Sequence, residues 1–268
     1  MAPQRKTALI TGASAGIGRE LARVFAAHGF DLVVVARSQD ALDQLADELA
    51  QAHDATVTVI AMDLMVPTAP RELFDAVQER GIVIDVLVNN AGVAYFEPFA
   101  ETSLERILGL MQLNMVALTA LTHLFLGPML KRRRGRIMNV ASVAGFQPTP
   151  TFAIYGASKA FALSLSEALA EELRGSGVTV TALCPGFTST AMVNGVGIEG
   201  GIERVVPAPL LMDAETVARE GYAACMAGEV IHVNGLFYRL GVGWTRIQPR
   251  WLVRRAAGFW FGRVKRQH

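Results

Sequence analysis

Along the first 233 of 268 residues, short apolar runs alternate with helix-like stretches, and this rhythm constrains the fold more than any other feature. Asp31-Leu-Val-Val-Val-Ala36 is a near-continuous apolar run, as expected of a strand buried on both faces. Similar strand patterns stand at Thr7–Thr11, Thr56–Ala61, Ile84–Val88, Arg136–Val140, Val178–Cys184 and Val230–Val233. Between them lie helical patterns at Ile17–His28, Asp40–Gln51, Pro70–Arg80, Ser103–Lys131, Ile154–Arg174 and Asp213–Met226. In the second of these, Leu42, Leu45 and Leu49 recur at spacings of three and four. Strands alternating with helices predict an α/β fold: a Rossmann-type, doubly wound parallel sheet of about seven strands with helices on both faces.

Composition agrees with a globular chain, since 51% of residues are hydrophobic and only 18% charged. No linker interrupts the rhythm, so residues 1–238 read as one domain and 239–268 as an extension. A net charge of +1 gives no global argument for nucleic acid. Cys184 and Cys225 are isolated, with neither metal-ligand spacing nor a disulfide framework. The N-terminus passes directly into a strand with no signal-peptide pattern, and no run approaches the ~20 apolar residues of a membrane span. The expectation is a cytoplasmic protein.

The chemistry concentrates at strand ends. Thr11-Gly-Ala-Ser-Ala-Gly-Ile-Gly18 follows the first strand and opens a helix. Glycines at 12, 16 and 18 allow backbone to approach a pyrophosphate at the helix N-terminus, where free N–H groups and the helix dipole favour an anion. At the end of the second strand, where an acid often binds ribose hydroxyls, stand Ala36 and Arg37. Alanine leaves room for a 2′-phosphate and arginine supplies a bidentate donor, with Ser14 offering a hydroxyl; NADP(H) is favoured over NAD(H). Asp63, before Leu64, suits an adenine amino group or a helix cap equally. Asn89-Asn90-Ala91-Gly92 reads as a close cofactor approach or a plain turn. Asn114, within an apolar helix, is either a structural hydrogen-bonder or part of a polar relay.

Ser142 follows the fifth strand, and Tyr155 and Lys159 lie one helical turn apart on a shared face. A cation beside a phenol lowers its pKa, and a second hydroxyl nearby outlines a carbonyl/alcohol site.

Together these motifs, with Pro185-Gly186, resemble the short-chain dehydrogenase/reductase family over about residues 5–233. The resemblance implies that Tyr155 is the general acid/base and that Lys159 binds nicotinamide ribose and tunes Tyr155. It implies that Ser142 holds the substrate oxygen and that Asn114 orders a water leading from Lys159 to solvent. Gly12, Ser14, Gly16, Ile17, Gly18, Arg37, Asp63, Leu64, Asn90, Ala91 and Gly92 would line the dinucleotide. Pro185, Gly186 and Thr188 would border its carboxamide, with Thr190 near the phosphates. A homodimer or homotetramer acting on a small carbonyl or alcohol substrate is the family expectation; a dinucleotide-binding scaffold without turnover is the alternative. Likeness to a ketoacyl and hydroxysteroid reductase branch implies an apolar substrate, with Phe96, Phe146, Phe152, Phe187, Met192 and Val193 as pocket candidates.

Thr188–Pro209 is rich in glycine and proline and reads as a surface loop or a lid, its place after a strand's C-terminal end favouring the lid. The extension carries eight Lys/Arg, no Asp or Glu, and all three tryptophans: Trp244, Trp251 and Trp260. Its 249–266 stretch reads as one helix with imperfect sidedness. Such a segment suits an anionic membrane surface, a sister subunit or the acidic body of the chain itself.

Overall fold

A computed structural model describes residues 5–189 and 210–265. Seven parallel strands form one sheet in the order β3-β2-β1-β4-β5-β6-β7. They are β1 (Thr7–Thr11), β2 (Asp31–Ala36), β3 (Val57–Ala61), β4 (Ile84–Asn89), β5 (Gly135–Val140), β6 (Val178–Cys184) and β7 (Ile231–Val233). The order reverses direction between β1 and β4, and the crevice above that junction is where ligands of such sheets bind.

Helices cover both faces. On one, α1 (Gly16–Ala27), α2 (Gln39–His53) and α7 (Ala214–Ala227) bury Leu21, Phe25, Leu42, Leu45, Leu49 and Val217 against the even-numbered side chains of β1 and β2. On the other, α3 (Ala69–Glu79), α5 (Leu118–Arg132) and α6 (Ala153–Glu172) cover Leu9, Val33, Val35 and Leu87. The unbroken apolar run of β2 thus feeds two cores at once, which is why it does not alternate with polar residues. Helix starts follow local chemistry: Ser38 caps α2 by accepting from the Ala41 N–H, and Asp213 caps α7 through Thr216.

The single helix expected over Ser103–Lys131 is interrupted. α4 (Leu104–Met111) passes into a π-helical turn, Gln112–Ala117, before α5 begins. Asn114 sits in that turn: its Oδ1 accepts from the Val93 N–H at 3.0 Å, and its Nδ2 donates to the Val93 carbonyl and to Ser158 Oγ. The widened turn lets one amide satisfy both backbone groups of Val93. The expectation that no segment reaches membrane-span length also needs correction. Leu104–Arg132 is long and apolar enough to cross a bilayer, though here Leu110, Leu121, Phe125 and Met129 are buried within the fold.

The extension forms two helices, α8 (Leu236–Ile247) and α9 (Arg250–Lys265), so the boundary drawn at residue 238 falls inside α8. They part where Gln248 takes an extended conformation ahead of Pro249. The proposed lid lies largely outside the described residues. Its base is closed by a bridge between Thr188 and Met212, with Ser189 N–H donating to the Met212 carbonyl and Met212 N–H to that of Phe187.

Candidate active site

The C-terminal ends of the central strands open into a cavity of about 810 Å3. It runs from the first turn of α1, past β4 and β5, to α6 and the inner faces of α8 and α9.

At the β1–α1 end, Gly12 adopts φ +68°, and a Cβ there would press on Asn90 Nδ2 and the Ala91 backbone. Asn90 Nδ2 donates to the carbonyls of Thr11 and Gly12, while the Asn90 and Ala91 N–H groups both donate to Thr11 Oγ1. This lacing fixes the glycine turn to β4. Ala15, at the N-cap of α1, has no side chain to accept from the first-turn N–H groups, and no acid occupies that turn. Gly16 and Ile17 face the cavity. A helix start without its own acceptor, opening into a cavity beside a glycine cradle, fits a pyrophosphate. Arg37 and Ser14 line the same end, and no ion pair or hydrogen bond engages the Arg37 side chain among the described residues. Asp63 accepts from the Met65 N–H at 2.9 Å, so it serves as a local cap while its side of the loop still lines the cavity beside Leu64.

At the other end, Ser142 begins the short 3-10 turn Val143–Phe146, accepting from the Ala144 N–H at 3.1 Å. Tyr155 and Lys159 lie on α6, Tyr155 half-buried and Lys159 only 7% exposed. A buried chain of polar groups ties this helix to the sheet. Asn89 donates to Thr122 and Asn139, and Asn139 to Ser166 on α6.

The expected lowering of the phenol by Lys159 does not arise from the protein's own groups. Lys159 Nζ is turned to the Val140 carbonyl at 2.7 Å and stands 5.6 Å from the Tyr155 ring centre. Burial therefore dominates: it pushes Tyr155 up to about 12, with Ser142 opposing, and pushes Lys159 down to about 8. A protonated phenol is the form that donates a proton.

Most of the anticipated residues converge on this cavity: Gly12, Ser14, Gly16, Ile17, Arg37, Asp63, Leu64, Asn90, Ala91, Gly92, Ser142, Tyr155, Lys159, Pro185, Gly186 and Thr188. Gly18 and Asn114 do not reach it. A Cβ on Gly18 would collide with the Gly12 carbonyl and Asn90, so this glycine serves the packing of α1 on the turn. Asn114 stands behind Gly92, with both amide hydrogens engaged. Thr190, Met192 and Val193 lie outside the described residues. The aromatic candidates Phe96, Phe146, Phe152 and Phe187 all line the wall.

Sequence reasoning missed Tyr238. Its hydroxyl accepts from the Phe187 N–H at 3.1 Å and donates to the Leu210 carbonyl at 2.7 Å, and its ring fills the space a Cβ on Gly186 would need. It pins the loop after β6, and no spacing signal marks it because its partners lie 28 and 51 residues away. Trp244, Thr245 and Val253 of the extension also reach the cavity, which reading the extension separately could not reveal.

A seven-stranded doubly wound sheet with this site at its switch point defines a dinucleotide-dependent oxidoreductase of the short-chain dehydrogenase/reductase family, and the chain belongs to that family. The family model described as short chain dehydrogenase matches residues 6–199. The chain is 31% identical over 241 residues to the 3-oxoacyl-(acyl-carrier-protein) reductase FabG of Escherichia coli, covering 87% of this chain and 97% of that one. It is 36% identical over 199 residues to a very-long-chain 3-oxoacyl-CoA reductase of Phaeosphaeria nodorum, which spans 71% of this chain but only 57% of that relative. Among solved structures, a short-chain dehydrogenase from Sphingobium yanoikuyae in complex with NADPH superposes with a TM-score of 0.80 at 32% identity, covering 91% and 96% of the two chains. The bulky-bulky ketone specific alcohol dehydrogenase of Comamonas testosteroni gives 0.76 at 31%, covering 90% and 92%. The protein is an enzyme.

Proposed function

We propose that the protein is an NADPH-dependent carbonyl reductase acting on a bulky apolar ketone or a ketoacyl-like substrate, and reversibly on the secondary alcohol. The observation that carries this reading is the convergence of Ser142, Tyr155 and Lys159 at one end of a cavity whose other end holds an uncapped helix start and an unpaired arginine. A reduced nicotinamide supplies hydride when bound. Tyr155 donates the proton to the carbonyl oxygen, and Ser142 holds that oxygen. Lys159, buried behind Gly92, is placed to meet ribose hydroxyls and to return charge toward the phenol. Asn114 keeps the Val93 loop in place through both backbone groups of Val93. Arg37, with Ser14, receives a 2′-phosphate as a bidentate donor. Phe96, Phe146, Phe152 and Phe187 favour an apolar acyl or ring system.

The names of the similar proteins, two 3-oxoacyl reductases and a dehydrogenase for bulky ketones, support the same substrate class. We extend the reading to a homo-oligomer, on the strength of Leu104, Leu108, Val116 and Leu130 exposed along one helical stretch. A cytoplasmic location accords with two buried, unpaired thiols. The test is NADPH oxidation with ketones graded in size, comparing the protein with Tyr155→Phe. The expected result is turnover that rises with apolar bulk and falls by about 10²–10⁴ in the variant. Equal rates would remove Tyr155 from its role, and NADPH binding without turnover of any ketone would favour a scaffold.

A further inference from the structure

Among the described residues, seven of the fifteen exposed large apolar side chains fall on α8 and α9, and all but the cavity-lining Phe237 and Trp244 face away from the cavity. They are not scattered. In α8, Tyr238, Val242 and Thr245 face the cavity. The opposite face carries Leu236, Leu240 and Ile247, which are 73%, 66% and 78% exposed. A helix that turns one side to a cavity should present polar residues to solvent on the other; this one presents leucine and isoleucine. In α9, Val253 and Ala257 are buried, and the opposite face carries Trp251 and Phe259 on either side of Arg255.

Charge selects the occupant. Arg239, Arg246, Arg250, Arg254 and Arg255 are all exposed on these two helices, and residues 236–268 contain no Asp or Glu. Arg239 donates to the Val233 carbonyl and Arg246 reaches Glu167 at 4.0 Å, but no carboxylate meets Arg250 or Arg254 among the described residues. A second copy docking through the same face would bring arginines against arginines, because a two-fold interface sets a patch against itself. A bilayer with anionic headgroups satisfies both features. Leucine, isoleucine and tryptophan enter the acyl boundary, and the arginines meet phosphates beside them.

We propose that α8 and α9 form an anionic-membrane docking surface, holding the enzyme peripherally on lipid with one wall of its cavity against the bilayer. Docking itself does not rest on the assigned reaction. All three tryptophans lie in residues 244–260, so intrinsic fluorescence reports directly on this segment.

The experiment mixes the full chain with phosphatidylcholine vesicles, with or without about 30% phosphatidylglycerol, and reads flotation and tryptophan emission. Expected is flotation with the anionic vesicles only, together with a blue shift. Leu240→Ser with Ile247→Ser, and separately Arg250→Glu with Arg254→Glu, should each weaken binding, the second pair by more than about twentyfold. None of the four residues lines the cavity, so NADPH binding and turnover of a soluble ketone should stay unchanged in both variants. Those readouts also show that the variants are folded. Failure of the protein to float with anionic vesicles overturns the proposal, as does flotation that both variants retain. An oligomer that the serine variant dissociates, with no vesicle binding, assigns the face to self-association and overturns it equally.

Discussion

Replacing Lys159 by Met removes a charge that the fold carries at a cost. The Lys159 ammonium is 7% exposed, with the Val140 carbonyl as its hydrogen-bond acceptor, and burial draws its pKa from 10.5 to about 8. That displacement corresponds to about 3 kcal/mol favouring the neutral form in the folded state. At about pH 7 both folded and unfolded chains hold the proton, so the folded state carries the full penalty. Between about pH 8 and 10.5 the unfolded chain still binds the proton that the folded one has lost, so stability rises with pH through this window. Methionine has similar length and no charge. It forfeits the bond to Val140, a loss of about 1 kcal/mol, so the net gain at about pH 7 should be roughly 2 kcal/mol. Urea unfolding of both proteins in parallel buffers reads the effect. The variant should be the more stable near neutrality, and the gap should close as pH climbs toward 10.5. Tyr155 works in the opposite sense, since its pKa is raised from 10 to about 12: its contribution is lost between those values, overlapping only the top of that window, and is common to both proteins. Parallel stability curves, or a variant less stable at neutral pH, would refute the claim that burial of this charge is costly.

Other perturbations test separate parts of the structure. Arg37→Ala should reduce the NADPH-over-NADH affinity ratio by about tenfold or more, measured by fluorescence titration of each nucleotide; an unchanged ratio would remove Arg37 from 2′-phosphate recognition. In the unfilled site, where the phenol is held near 12, a tyrosinate absorbance difference between the protein and Tyr155→Phe should be absent through neutral pH; a phenolate signal there would refute the raised pKa. Phe25→Ala, at a fully buried ring packed edge-on to Phe30 and Tyr222, should cost about 3–5 kcal/mol in urea unfolding.

What the sequence made legible is what local chemistry dictates. Strands buried on both faces must be apolar throughout, so β1, β2 and β4 stand out without any partner being known. The glycines after β1 and the acid-free end of β2 are likewise one-dimensional signals, and the structure gathers them around one cavity. The π-helical turn around Asn114 was not legible. One extra residue in a turn barely disturbs the apolar spacing, and its cause, the two backbone groups of Val93, lies 21 residues away. The imperfect sidedness of α9 has a different cause. Its outer face sets Trp251 and Phe259 on either side of Arg255, so apolar and charged residues share one side.

The direction in which Tyr155 shifts was illegible because a spacing of four fixes a shared helical face and not the direction of an ammonium. Four glycines mark how closely the chain is packed around that ammonium. A Cβ on Gly145 would sit 2.9 Å from the Lys159 carbonyl carbon, and one on Gly156 would collide with Thr149, so the 3-10 turn after Ser142 rests directly on the backbone of α6. A Cβ on Gly186 would strike Tyr238, which brings the β6 loop down from the other side. At Gly92, a Cβ would lie 3.2 Å from Asn114 Oδ1 and 3.7 Å from Lys159 Nζ. This close seating brings Lys159 over the end of β5, where the Val140 carbonyl accepts its hydrogen bond at 2.7 Å. The ammonium thus stands over the Tyr155 ring, 5.6 Å from its centre, while its hydrogen bond goes to Val140. Among the protein's own groups, burial therefore outweighs every partner of the Tyr155 phenol and sets its pKa at about 12.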